Sequence, residues 1–217
     1  MIKAVIFDMD GLLIDSEPLW CEAKIDVFTK IGVPMTKERY KESVGLRADE
    51  IVDYWYSRYP WKDKSKKEIE EKLVERIIEL IKEKGELLPG AKEVIKTFYN
   101  KKIPLAIASS SLMKIINVAM GKLDIANYFE IIHSAEYEEF GKPNPAIYLS
   151  TAKKLKVSPE ECLVFEDSFT GVSAARAAKM KCIVVPNKMA KDDTRLQVAD
   201  IMLNSLEDFR LELLNNL

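Results

Sequence analysis

The sequence predicts an α/β protein with a parallel sheet, helices on both faces and one long helical insertion. Three observations predict it. Short apolar runs recur at 4–7, 105–108, 162–165 and 182–185, each with the length and β-branched content of a buried strand. Helical patterns separate the later runs, giving the alternating order of a doubly wound sheet. Between the first run and the second lie roughly one hundred residues, mostly helical in pattern.

The elements follow in order. The first strand stops at Asp8-Met9-Asp10-Gly11, where the glycine lets the backbone turn. Residues 16–30 carry apolar positions at Leu19, Ala23 and Val27, a helical spacing. Ser65-Lys66-Lys67-Glu68 is a capping-box signature, followed by one apolar face of Ile69, Leu73, Ile77, Leu80 and Ile81. Gly85 stands where that helix should stop. Leu87-Leu88-Pro89-Gly90 breaks the chain, and a new helix starts near Ala91. Weaker strands are expected at 131–132 and 201–203. The simplest organisation is an α/β core of residues 1–14 and 88–217, with a helical domain of residues 15–87 between hinges at 11–17 and 86–90. The mixed-sign run 62–72 reads as a solvated helix face.

At 217 residues, 47% hydrophobic and 31% charged, the chain can bury a real core. A net charge of -2 argues against nucleic acid or an anionic membrane as partner. No apolar run is long enough to span a bilayer, and the opening residues form a strand with no signal-peptide layout. Cys21, Cys162 and Cys182 are odd in number and far apart, as expected of reduced thiols in a cytoplasmic protein. With His133 the only histidine, a zinc site is not expected. The mixed-charge surface suits a monomer.

The chemistry sits where the strands end. In open α/β sheets ligands bind beyond the carboxyl ends of the strands. Asp8 and Asp10 end the first strand, Ser109, Ser110 and Ser111 the second, and Glu166 and Asp167 the run 162–165. Between the last two lies Gly141-Lys142-Pro143-Asn144-Pro145, a loop held open by prolines. Adjacent parallel strands bring these ends to one rim. Taken alone, Asp8 and Asp10 could be two solvated acids in a turn. Four carboxylates together repel unless something offsets them, and Mg²⁺ is the hard cation suited to carboxylate and carbonyl oxygens. Mg²⁺ and Lys142 would then hold a phosphate against an attacking carboxylate. Ser109 could hydrogen-bond that phosphate, and the backbone N–H groups of Ser110 and Ser111 open the next helix, a position that suits an anion.

The order Asp-x-Asp, Ser, Lys, Glu-Asp, each at a strand end or loop, resembles the haloacid dehalogenase superfamily of phosphohydrolases. The resemblance spans the whole core, and the insertion resembles that family's small helical cap. It implies a Rossmann-like core and a Mg²⁺-dependent phosphatase. Asp8 would be the nucleophile, and Asp10 the general acid and then base. Ser109 and Lys142 would hold the phosphoryl group, with Met9 and Ser110 also at the phosphate. Asp8, Asp10 and Asp167 would ligate Mg²⁺, and Glu166 would either join them or support them from behind.

The segment Asp10-Gly11-Leu12-Leu13-Ile14-Asp15-Ser16-Glu17 resembles the branch that holds β-phosphoglucomutase and several sugar-phosphate phosphatases. That branch implies small sugar or sugar-alcohol phosphates as substrates, among them hexose and hexitol 6-phosphates and 2-deoxyglucose 6-phosphate. The mutase carries a histidine where Trp20 stands here, so an isomerase is the alternative and a phosphatase the leading expectation. A silent phosphate-binding module is disfavoured by the presence of Asp8 and Lys142. A dehalogenase is disfavoured by Asp10 and the Glu166-Asp167 pair.

Several residues have two readings. Arg47, in Gly45-Leu46-Arg47, either reaches a distal group of the substrate or is a surface arginine on a polar turn. Among Trp20, Trp55, Tyr56 and Trp61, Trp20 is expected to face the site while the others pack the insertion. Glu17 is expected to cap the adjoining helix, His133 to be structural, and the cysteines to be small buried hydrophobes.

Overall fold

The computed structural model describes residues 1–188 and 190–217. Six parallel strands form one sheet in the order β3-β2-β1-β4-β5-β6. They are β1 (Ala4–Phe7), β2 (Leu105–Ser109), β3 (Ile131–Ser134), β4 (Cys162–Glu166), β5 (Lys181–Val184) and β6 (Ile201–Met202). Every strand expected from the sequence is present. β2 and β4 run one residue past their apolar stretches, because Ser109 still pairs with Ser134 and Glu166 with Val184. Backbone pairing is indifferent to side-chain polarity, so two functional candidates are the last residues of their strands.

The order explains the position of the site. β1 lies between β2 and β4, with Val5 opposite Leu105 on one side and Leu163 on the other. Successive connections therefore leave β1 in opposite directions, which opens a crevice at the carboxyl ends.

Strand alternation divides the core into two layers. Val5, Phe7, Leu163 and Phe165 face α4 (Ala91–Asn100) and α5 (Met113–Leu123). Ala4, Ile6, Cys162 and Val164 face α6 (Ala146–Leu155) and α7 (Phe169–Ala177). Phe7 stacks on Phe165 with ring centroids 5.0 Å apart. Each such fully buried side chain contributes about 1.5–3 kcal/mol of apolar transfer.

The insertion contains α1 (Glu17–Phe28), α2 (Ala48–Arg58) and α3 (Lys66–Lys84). Ser65 caps α3 as expected: its Oγ accepts from the Glu68 N–H at 3.2 Å, and Glu68 accepts from the Ser65 N–H at 2.7 Å. α1 and α2 both pack on α3. The two connections to the core run side by side: Ile14 bridges Leu87 antiparallel, and the Leu88 N–H donates to the Leu13 carbonyl at 2.9 Å. Trp55 is fully buried, Trp61 nearly so and Tyr56 half-buried, and Trp55 and Trp61 pack against Phe28. Cys162 and Cys182 are buried and Cys21 is half-buried; all three are free thiols. Among the described residues no helix is long and apolar enough to cross a membrane.

Candidate active site

The rim of the sheet gathers most of the residues singled out from the sequence. Asp8 follows β1 and is held by its N–H, which donates to the Phe165 carbonyl at 3.0 Å. Gly11 turns the chain with φ +78°, and a Cβ there would overlap the Asp167 carboxylate. Glycine is thus required twice over, for the left-handed backbone and for the close approach.

Lys142 sits between two carboxylates. Its Nζ is 2.6 Å from Asp8 Oδ1 and 2.6 Å from Glu166 Oε1, and it donates to the Ala108 carbonyl at 3.2 Å. Its peptide bond to Pro143 is cis. Tyr148, from α6, donates its hydroxyl to Glu166 Oε1 at 2.6 Å. On the other side, Glu166 Oε2 accepts from the Asp167 N–H, the Ser168 N–H and the Ser168 hydroxyl, at 2.9, 3.2 and 3.1 Å. Five donors fill the roughly four acceptor positions of a carboxylate. Both oxygens of Glu166 thus accept bonds from protein groups.

Electrostatics follows from this arrangement. Burial pushes Asp8 up to about 7, against the opposing pull of Lys142 and with repulsion from Glu166 and Asp10. Burial also raises Asp167 well above the carboxylate range, helped by Glu166 and Asp8. Glu166 lies below its ordinary value: burial would raise it, but Lys142 and its hydrogen-bond donors outweigh that. Burial alone would lower Lys142, yet Asp8 and Glu166 hold it above its ordinary value.

Asp8, Glu166 and Asp167 offer oxygens within 4.8 Å of one another, so the cluster could hold a metal ion. These carboxylates crowd together with Asp10 close by and Lys142 as the one ammonium between Asp8 and Glu166. A hard, oxygen-seeking divalent cation suits that donor set. Among the described residues the Asp167 carboxylate accepts from Asn187 Nδ2 at 2.8 Å and has acceptor capacity left.

Asp10 points toward the insertion. Its Oδ1 accepts from Trp20 Nε1 at 3.2 Å, and its Oδ2 from the hydroxyls of Ser111 and Ser109 at 2.8 and 3.3 Å. The Ser111 N–H, expected to face an anion, instead donates to Ser109 Oγ at 3.1 Å. Met9, between the two acids, is completely buried, and Ser110 lines the cavity.

That cavity, about 70 Å³ in free volume, lies between rim and insertion. Asp8, Asp10, Ser109, Lys142 and Asp167 form its floor, and Glu17, Trp20, Lys24, Tyr40 and Ser43 form part of its insertion wall. Of the four aromatics weighed from the sequence, only Trp20 reaches it. Glu17 does not cap α1. Ser16 holds the N-cap position, and the Glu17 carboxylate accepts the Tyr40 hydroxyl instead. Burial lifts Glu17 above its ordinary value. Lys24 is almost fully buried and donates to the Ser43 carbonyl and hydroxyl at 2.8 and 3.1 Å; burial pulls it down to about 7. Arg47 is not among the residues lining the cavity. His133 is buried away from it, bonded to Glu138 and Lys154.

Several site residues escaped the sequence reading, among them Lys24, Asn187, Tyr40 and Tyr148. Lys24 was detectable, because it follows Trp20 by one helical turn and so shares its face. Asn187 follows β5, another strand end at the same rim. Tyr40 and Tyr148 carried no local signal.

The chain is similar to known proteins in sequence and in fold. Residues 5–185 match the model of the haloacid dehalogenase-like hydrolases. The chain is 40% identical over 208 residues to hexitol phosphatase B of Escherichia coli, covering 95% of this chain and 94% of that protein. It superposes on the phosphate complex of CbbY from Rhodobacter sphaeroides with a TM-score of 0.91 and 26% identity, over 99% of this chain and 100% of the other. It also superposes on a β-phosphoglucomutase from Clostridium difficile with a TM-score of 0.86 and 25% identity, over 99% and 96%.

Proposed function

This chain belongs to the haloacid dehalogenase-like hydrolases, and from that premise we propose a Mg²⁺-dependent phosphatase of small sugar and sugar-alcohol phosphomonoesters. The observation that carries the reading is the buried ion pair of Asp8 with Lys142, beside Asp167 and beneath a polar cavity wall. Similarity to a hexitol phosphatase supports hexose and hexitol 6-phosphates, with 2-deoxyglucose 6-phosphate in the same class. A hydroxyl-rich substrate suits a wall made of Glu17, Lys24, Tyr40 and Ser43.

In the first step Asp8 Oδ attacks phosphorus and the bond to the leaving oxygen breaks. Asp10 gives its proton to that oxygen. In the second, Asp10 takes a proton from water as the water oxygen attacks phosphorus and the aspartyl–phosphate bond breaks. Lys142 orients Asp8 and offsets charge on the phosphoryl oxygens, while Ser109 donates to one of them. Trp20 and Ser111 hold the Asp10 carboxyl in place. Asp8 and Asp167, with the Asp10 backbone carbonyl, would hold Mg²⁺, which would offset the repulsion among the clustered carboxylates and stabilise charge on the phosphoryl oxygens. Glu166 acts through Lys142, which it fixes from behind. Residues 15–87 form a cap that opens for substrate and closes for chemistry, pivoting where Ile14 pairs with Leu87.

The likeness to β-phosphoglucomutase supports a second reading, phosphoryl transfer between sugar hydroxyls. One experiment separates the two. The protein is incubated with Mg²⁺ and a panel of hexose and hexitol phosphates, and free phosphate and sugar-phosphate isomers are followed together. Phosphate release from 6-phosphates, absent in Asp8→Asn, is expected. Conversion of β-glucose 1-phosphate to glucose 6-phosphate without phosphate release would replace the phosphatase with the isomerase.

A further inference from the structure

We propose that Arg47 is a positioning residue: a clasp that holds the helical insertion closed against the segment leading to Lys142, without touching substrate. This rests on the phosphatase reading above.

The residue occupies the N-cap position of α2, and its guanidinium crosses to the core. Nη1 donates to the Ala135 and Glu138 carbonyls at 3.4 and 3.3 Å. Asp49 pairs with the other edge, Nε at 3.2 Å and Nη2 at 2.7 Å, which fixes the plane of the fork. The side chain is only 18% exposed, and its Cγ and Cδ lie against Gly141, the residue before Lys142. It takes no part in the cavity wall.

The receiving segment is itself anchored on both sides. The Glu138 carboxylate bonds His133 Nε2 at 2.7 Å, and Lys154 holds the other ring nitrogen at 2.7 Å. Ser134 accepts from the Glu136 N–H at 3.1 Å and donates to the Ser111 carbonyl at 2.6 Å. Ser111 in turn bonds Asp10. Arg47 therefore docks on a rigid ledge that is continuous with Lys142 at one end and with the Ser111 loop at the other. Closing the clasp sets the insertion over both catalytic groups at once. An arginine suits the task, since one edge can bind a carboxylate while the other spans two carbonyls.

The test uses inorganic vanadate, a phosphate mimic with no distal group for Arg47 to reach. Vanadate affinity is measured with Mg²⁺ present, alongside kcat and KM on a sugar phosphate and on an aryl phosphate. For Arg47→Ala, vanadate affinity and kcat/KM on both substrates are expected to fall by the same factor, about tenfold for one lost charge-assisted contact. Arg47→Lys, which keeps the charge but not the fork, should recover part of the loss. Asp49→Ala, which frees the guanidinium without removing it, should lose less in the same direction. Loss confined to the sugar phosphate, with vanadate affinity intact, overturns the clasp and makes Arg47 a substrate contact. Lower kcat with unchanged KM and vanadate affinity also overturns it, since that is only a smaller folded fraction. If the unsubstituted protein binds no vanadate, the phosphatase reading fails and the clasp with it.

Discussion

Gly171→Ala sets helix propensity against the buried charge network. Gly171 lies inside α7, where alanine ordinarily stabilises by about 1 kcal/mol. A Cβ at Gly171 would overlap both oxygens of the Glu166 carboxylate. A flexible side chain could swing away, but Glu166 is pinned by Lys142, Tyr148, the Asp167 N–H and two donors of Ser168. Moving it strips Lys142 of one of its two anions and leaves the Tyr148 hydroxyl buried without a partner. Breaking a buried pair of this kind costs about 3–5 kcal/mol. With the propensity gain subtracted, the net loss is about 2–4 kcal/mol, or roughly 5–15 °C in Tm for a chain of this size. Turnover should fall as well, because Lys142 loses its rear support. Gly121→Ala in α5 is the control, since a Cβ there meets nothing within 4 Å. It should stabilise slightly. Urea and thermal unfolding of both variants, with phosphate release, decide the matter. A Gly171→Ala protein as stable and active as its parent would refute the rigid network around Glu166.

Three further outcomes are expected. Asp167→Asn should raise Tm in the absence of metal, because it removes a buried acid whose ionised form is disfavoured first by burial and then by Glu166 and Asp8, and should lower Mg²⁺ affinity by about 10–100-fold or more; an unchanged shift of Tm with added Mg²⁺ would count against its ligand role. Trp20→Phe keeps the ring but loses the N–H on Asp10, so kcat should drop about tenfold while the fold persists; equal rates would show that the indole only fills space. Lys24 titrates near 7 when folded because burial lowers it, against 10.5 ordinarily, so the unfolded chain binds more protons between those values. Its contribution to stability therefore rises with pH through that window and is least favourable below it, by the order of a few kcal/mol. Comparing Lys24→Met with its parent in urea at pH 7 and 9.5 should show the parent's stability rising more with pH, and parallel changes would contradict the buried charge.

Much of the molecule was legible from local pattern. Strand positions follow from apolar runs such as Ala4–Phe7, because burial on both faces demands a continuous apolar sequence. The start of α3 follows from Ser65, since capping is settled within a few residues, and its end falls at Gly85 as expected, there with an extended rather than left-handed backbone. Asp8, Asp10, Ser109, Lys142 and Asp167 could be gathered because parallel strands deliver their carboxyl ends to one rim. None of that required knowing where any side chain points.

What only the tertiary structure decided is the direction in which polar side chains spend their hydrogen bonds. Glu17 looks like a cap by position, yet it turns to Tyr40, twenty-three residues away. Glu166 has two readings from position, metal ligand or support, and it takes five donors from Lys142, Tyr148, Asp167 and Ser168. Arg47 reads from position as either a substrate contact or a surface arginine, and its guanidinium crosses to Ala135 and Glu138, some ninety residues on. The sequence by itself determined where each backbone segment lies, because propensity, periodicity and capping act over a few residues. It left the partners of the buried charges open, because those are chosen by desolvation, and desolvation is set by whatever distant residues pack alongside.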